Sequence, residues 1–162
     1  MFQSLVVSLV LTKLDYGNAG LPAYQYRRLQ SVLNAAARLI YQRRRFDHVS
    51  SLSRELHWLK SAERVAYKLA VTVYQCLHGL APSYLTHSVR RVAEMDRRRL
   101  HSSSSDDVII LTTRLVTVGD RAFAVAGSRL WNSLPPDITS AQTLPVFCNR
   151  LKTHLFPNCF PS

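Results

Sequence analysis

Arginine is the residue type in this chain with the clearest chemistry. Arg43, Arg44 and Arg45 form an unbroken run, preceded by Arg27, Arg28 and Arg38, while Arg90 and Arg91 lead to a second run, Arg97, Arg98 and Arg99. A guanidinium presents paired donors in one plane, a match for phosphate oxygens, and such contacts hold a nucleic-acid backbone without reading its bases. Tyr24, Tyr26, Tyr41 and Phe46 lie around the first run and could stack on unpaired bases, although core packing is the stronger reading for Tyr26. Over the 162 residues, 21 Lys and Arg against 10 Asp and Glu give a formal net charge of +11. A surface of that sign draws polyanions by counterion release and by its long-range field. RNA, DNA and an anionic membrane all satisfy the charge, as does a solvated basic surface with no specific partner.

The chemistry that is missing narrows the function. Polymerase catalysis needs carboxylates converging on two metal ions. The one adjacent pair, Asp106-Asp107, follows Ser102 to Ser105 in a polar stretch, with no aromatic residue before it and no strand pattern leading in. No catalytic residues are expected. Six histidines and three cysteines (Cys76, Cys148, Cys159) give no compact four-ligand spacing, so no metal or other cofactor is expected. The cysteines are odd in number and widely spaced, which fits a reducing, intracellular compartment, nuclear or cytoplasmic. No nucleophile elbow, phosphate-binding Gly-rich loop or paired-His zinc motif occurs.

The elements that must position these residues are helical. Phe2, Leu5, Val6, Leu9, Val10 and Leu14 follow a helical period in a stretch too short to cross a membrane and without the basic start of a secretory signal, so no membrane partner is expected. After a turn at Asn18, Gly20 and Pro22, the pattern predicts a helix from Ala23 to about Gln42, with Tyr26, Leu29, Leu33, Ala36 and Ile40 on one face. A shorter helix follows from Leu52 to Trp58. The next has Ser61 as cap, Glu63 against the positive end of its dipole, Gly79 as terminator and a face of Ala62, Val65, Ala66, Leu69, Val73 and Leu77. Pro82 suits the first turn of another helix, ending near Val92.

From 93 to 107 the chain reads as a basic, Ser-rich linker between a helical part, 1–92, and a smaller part, 108–156. Val108 to Leu111 and Leu115 to Val118 are β-branched runs that fit a short β-hairpin near 108–118 or one extended segment laid on helices. Asp120 can cap a helix to Ser133 whose face is Phe123, Ala126, Leu130 and Leu134, with Trp131 beside them, and Pro135-Pro136 forbids its continuation. A last helix spans Leu144 to Phe156, with 157–162 a loose tail. The expected fold is mainly α, an irregular bundle of about six to seven helices.

Several of these runs occur together in a known family. GDRAFAVAGSRLWNSLPPDI (Gly119 to Ile138) and LPVFCNRLKTHLF (Leu144 to Phe156) resemble the C-terminal end of the polyprotein of jockey-type non-LTR retrotransposons, downstream of its reverse transcriptase. LDYGNAGLP (Leu14 to Pro22) is similar to that family's "LDYCN…LP" run, with Gly17 where Cys is common, and RLQSVLNAAARLI (Arg28 to Ile40) resembles its "RLQ…QNAAARL" helix. Phe46 to Leu85 follows in the same order, so the resemblance extends from about Leu14 to Phe156.

The resemblance implies a parent that copies element RNA into DNA at a nicked chromosomal target, and a matched region lying beyond the polymerase palm. The expected function is that of a non-catalytic fragment of an RNA-directed DNA polymerase that assists binding of template RNA or target DNA through its arginines. Its partners would be the RNA or DNA backbone and the missing upstream polymerase domain. The alternative is a relic reading frame or a helical interaction module, self-associating through exposed Phe2, Leu5, Leu9 and Trp58.

Overall fold

A computed structural model of the chain describes residues 2–11, 23–89, 91, 108–110 and 122–160. Among these the fold is mainly α. Eight α-helices follow in order: α1 Phe2–Val6, continued by a π-helical segment Val7–Leu11; α2 Ala23–Ile40; α3 Ser50–Glu55; α4 Ser61–Leu77; α5 Ser83–Thr86; α6 Phe123–Asn132; α7 Pro136–Thr139; and α8 Leu144–Cys159. The described residues contain no sheet, only an isolated antiparallel bridge between Arg91 and Val108. Most of the hairpin expected over 108–118 lies outside the described residues, as do the whole linker 93–107 and the cap expected at Asp120.

By packing the chain divides into two units, 1–65 with 153–162, and 66–152. Helices α4 and α8 contribute residues to both.

In the first unit α1 and α3 pack on α2. Val6, Leu11, Leu33, Ala36, Ala37, Val49, Leu52 and Trp58 form one buried cluster, with Ile40, Tyr41 and Leu56 against it. The α2 face read from the period is therefore the one that is buried, and the methyl-sized Ala36 and Ala37 leave room for a neighbouring helix. Trp58 departs from expectation. It is buried rather than part of an exposed surface, because the chain turns back into the core directly after α3. Leu5 is exposed as expected; the side chains of Phe2 and Leu9 lie outside the described residues.

Helix ends explain much of this unit. Gln42 has φ 51° and His57 φ 52°. Around each, two backbone bonds close the helix: Arg43 N–H to Arg38 C=O and Gln42 N–H to Leu39 C=O, then Trp58 N–H to Ser53 C=O and His57 N–H to Arg54 C=O. That is the Schellman arrangement, which satisfies carbonyls left over at a helix C-terminus. The same pair of bonds closes α4 around Gly79, at φ 68°. Only there does a glycine mark it in sequence.

Ser61 does not cap α4 as expected. The Lys60 carbonyl accepts the first helical bond from Arg64 N–H, and Ser61 is already inside the helix. Its hydroxyl donates to the Tyr26 carbonyl at 3.0 Å and its N–H donates to Gln30 Oε1 at 2.8 Å, so it ties α4 to α2 instead.

Helix α8 runs on through Pro157 to Cys159, beyond the expected end at Phe156. Proline removes one helical donor, that toward the Thr153 carbonyl. Packing compensates: Leu155 and Cys159 are buried, Cys159 Sγ accepts Lys60 N–H at 3.3 Å, and the Phe156 and Phe160 rings meet at 5.1 Å. Arg54 and Lys60 stand over the Phe160 ring at 5.5 and 5.7 Å.

The second unit is built on aromatic rings. Tyr74 of α4 stacks on Phe147 of α8 at 4.5 Å, Trp131 of α6 stacks on Phe147 at 5.6 Å, and the Tyr74 hydroxyl donates to the Ala141 carbonyl at 3.0 Å. The buried faces keep Leu69, Val73, Leu134 and Trp131 from those read off the periods but differ at other positions. In this unit α4 buries Leu69, Ala70, Val73, Tyr74 and Cys76, and α6 buries Val125, Gly127, Ser128 and Trp131, leaving Ala66, Leu77, Phe123, Ala126 and Leu130 half-buried. Burying Tyr74 and Trp131 removes a large apolar area from water. Pro135 and Pro136 end α6 as expected, but they also start α7, with Pro135 as its N-cap.

Candidate nucleic-acid interface

The first arginine run lies on a turn fixed at the end of α2. After the Schellman closure at Gln42, Asp47 N–H donates to the Arg44 carbonyl at 3.2 Å, which makes Arg44 to Asp47 a β-turn with Arg45 and Phe46 at its tip. The Asp47 carboxylate returns to accept Arg44 N–H at 3.0 Å, tightening the turn from inside. Arg38, half-buried in the last turn of α2, donates both Nε and a terminal N–H to the Asp47 carbonyl, each at 3.2 Å.

The consequence is an exposed, conformationally held group of charges. Arg43, Arg44 and Arg45 are all exposed, and the Phe46 ring between them and Asp47 is 92 % exposed. No acidic residue occurs from Tyr16 to Phe46, so the exposed surface of α2 and its turn carries one sign of charge up to Asp47. Asp47 offsets one of these charges, but its carboxylate is engaged with the backbone.

The expected site residues that the structure describes separate into three groups. Arg43, Arg44 and Arg45 come together on the turn. Arg38 is adjacent, but its guanidinium is directed to the Asp47 carbonyl, so it positions the turn. Arg27 and Arg28 are exposed near the start of α2; at a helical rise of about 1.5 Å per residue they stand roughly 18 Å from its last turn. Arg97, Arg98 and Arg99 lie outside the described residues, as does Arg90.

The aromatic residues divide similarly. Tyr24 is 66 % exposed and Phe46 almost wholly so, both free to meet a planar ligand. Tyr26 is half-buried, and Tyr41 is half-buried against the core with its hydroxyl bonded to Glu55; burial first, then that carboxylate, raise its pKa. Sequence reasoning named the arginines and Phe46 but missed Asp47 and the positioning role of Arg38. Nine residues separate that pair across a helix end, and no periodicity marks it.

Nothing else among the described residues gathers comparable chemistry. No group of three or more His, Cys, Asp or Glu side chains comes together there, and no described helix is long and apolar enough to cross a membrane. Asp106 and Asp107 lie outside the described residues. Cys76 and Cys159 are buried, which raises their thiol pKa values. Tyr67, pushed up to about 12 by burial and a hydrogen bond with the Cys148 thiol, stays protonated at neutral pH. No protein-family model matches the chain, and no curated protein or solved structure is detectably similar to it.

Proposed function

We propose that this chain is a non-catalytic helical segment of a retrotransposon-type RNA-directed DNA polymerase, and that it holds RNA or DNA by the backbone through Arg43, Arg44 and Arg45. The observation that carries the binding role is the turn from Arg44 to Asp47, which presents three exposed guanidinium groups on a hydrogen-bonded frame. Preorganisation matters because a flexible arginine run loses side-chain and backbone freedom on binding, whereas here the backbone is already ordered. The polyprotein origin is supported by the ordered runs from Leu14 to Phe156.

Fluorescence anisotropy against labelled RNA and matched DNA across a salt series tests the binding role. Neutralising each phosphate releases counterions, so affinity falls steeply with salt. Changing Arg43, Arg44 and Arg45 to Ala should weaken binding and flatten that slope by up to about three phosphates' worth. Identical curves for the two proteins would remove the site. A strand-synthesis assay with divalent metal tests the absence of catalysis, and no product is expected.

A second reading has its own observation. Leu5 on α1 and Val32 and Leu39 on α2 are exposed at 54 %, 46 % and 55 %. These apolar groups favour a helical interaction module. Concentration-dependent association in analytical ultracentrifugation, with no change in salt slope on removing the arginines, would select that reading.

A further inference from the structure

Phe46 is the most exposed large hydrophobic residue described, at 92 %, and its position is not that of a loose loop. Its neighbours on both sides are tied. Arg43 N–H reaches back to the Arg38 carbonyl, Asp47 N–H closes onto Arg44, the Asp47 carboxylate holds Arg44 N–H, and Arg38 holds the Asp47 carbonyl with two donors. The ring is thus carried into solvent on a fixed frame, next to three exposed guanidinium groups.

An apolar ring kept in water contributes little to folding, since burying such a ring is what stabilises a core. On a basic surface it has a specific use. Double-stranded nucleic acid keeps its base faces stacked against one another, so an isolated ring has no face to meet along its length. A single strand exposes base faces beside its phosphates, and aromatic stacking on them tolerates any sequence.

We infer that the Arg44–Asp47 turn selects unpaired nucleic acid, with Phe46 stacking on an exposed base while Arg43, Arg44 and Arg45 hold the flanking phosphates; this rests on the nucleic-acid role proposed above. The stacking part of this contact is sequence-tolerant, because every base has a face to offer the ring. Tyr24, exposed near the start of α2, lies too far along the helix to share the same base and is not needed for the effect.

The test compares a labelled single strand of about twelve nucleotides, within the usual footprint of single-strand binders, with the same strand annealed to its complement. Four proteins are measured: the unaltered chain, Phe46→Ala, Phe46→Trp, and the triple change of Arg43, Arg44 and Arg45 to Ala. Because the ring is solvent-exposed, neither Phe46 variant should shift the thermal melt.

The unaltered chain should prefer the single strand. Phe46→Ala should lose about five- to hundredfold on that strand, with duplex binding and salt slope unchanged, and Phe46→Trp should retain or improve the affinity. Equal affinity for strand and duplex, or an equal loss on both in Phe46→Ala, would overturn the selection while leaving backbone binding by the arginines intact. No binding by the unaltered chain, or no effect of the triple arginine change, would overturn the backbone reading itself, and the selection with it.

Discussion

The carboxamide of Asn132 holds both main-chain groups of Val108: Val108 N–H donates to Oδ1 at 2.9 Å, and Nδ2 donates to the Val108 carbonyl at 2.9 Å. One side chain at the end of α6 therefore acts as a strand partner for a residue 24 positions earlier. Val108 is 1 % exposed, while Asn132 stands at the surface, so water can take over only part of the lost bonding. Asn132→Ala should cost about 1–3 kcal/mol, measured by urea denaturation. Asn132→Asp keeps the acceptor but sets a carboxylate against the Val108 carbonyl. Its carboxyl pKa is then raised in the folded state, so the variant should regain stability as pH falls toward the ordinary carboxyl range and lose it as pH rises.

Gly127 sits where α6 meets α4, and a Cβ there would come within 2.8 Å of Val73 Cγ2. Val73 is fully buried and β-branched, so it has few rotamers with which to yield. Gly127→Ala should destabilise by about 1–3 kcal/mol through overpacking, outweighing a helix-propensity gain of about 1 kcal/mol. Adding Val73→Ala should recover more than an additive pair would, a coupling that a double-mutant cycle measures directly.

The three left-handed helix ends give opposite expectations according to residue type. Gln42→Gly should stabilise, by up to about 1 kcal/mol, because glycine adopts that region without steric cost, and His57→Gly should gain less because it also gives up the ring contact with Phe156 at 5.8 Å. Gly79→Ala should destabilise by about 1 kcal/mol even though a Cβ there meets nothing within 4 Å, so the loss would be conformational alone. Thermal melts of the three variants check the signs.

Stability should fall in alkali. The pKa values of Cys76, Cys159 and Tyr67 are raised by burial above the ordinary 9.0 of the thiols and 10.0 of the phenol, with Tyr67 reaching about 12. Above the ordinary values the unfolded chain has released protons that the folded chain still holds. Unfolding is therefore favoured increasingly as pH rises from about 9 toward 12. Tyr67→Phe should flatten the upper part of that decline in melts taken along a pH series.

What could be read in advance follows from the range of the interactions. The α2 face with Leu33 and Ala36 was legible because it repeats within one element, and Gly79 because glycine advertises a left-handed residue. Gln42 and His57 carry no such sign. Their conformation is fixed by the chain's turning back after each helix, a property of the packing and not of the residue. The arginine run and Phe46 were legible by type, whereas the Arg38 and Asp47 tie that holds them was not. In α4 and α6 the period picked out Leu69, Val73 and Leu134, which are buried, but not Tyr74, whose burial follows from its stacking on Phe147 in the packed unit.

The closed turn also determines how the chain meets a protease. Arg43, Arg44 and Arg45 are, by residue type, a rich target for a trypsin-like enzyme, yet such enzymes engage substrate as an extended strand. While Arg38 grips the Asp47 carbonyl and Asp47 grips Arg44, these residues are withheld from that shape, and cutting must wait for the turn to open. Where the turn recloses faster than it is cut, the rate of cleavage at this point thus reports the population of the opened turn. A lodged nucleic-acid strand would lower that population further, so protection of these peptide bonds would register occupancy without any label.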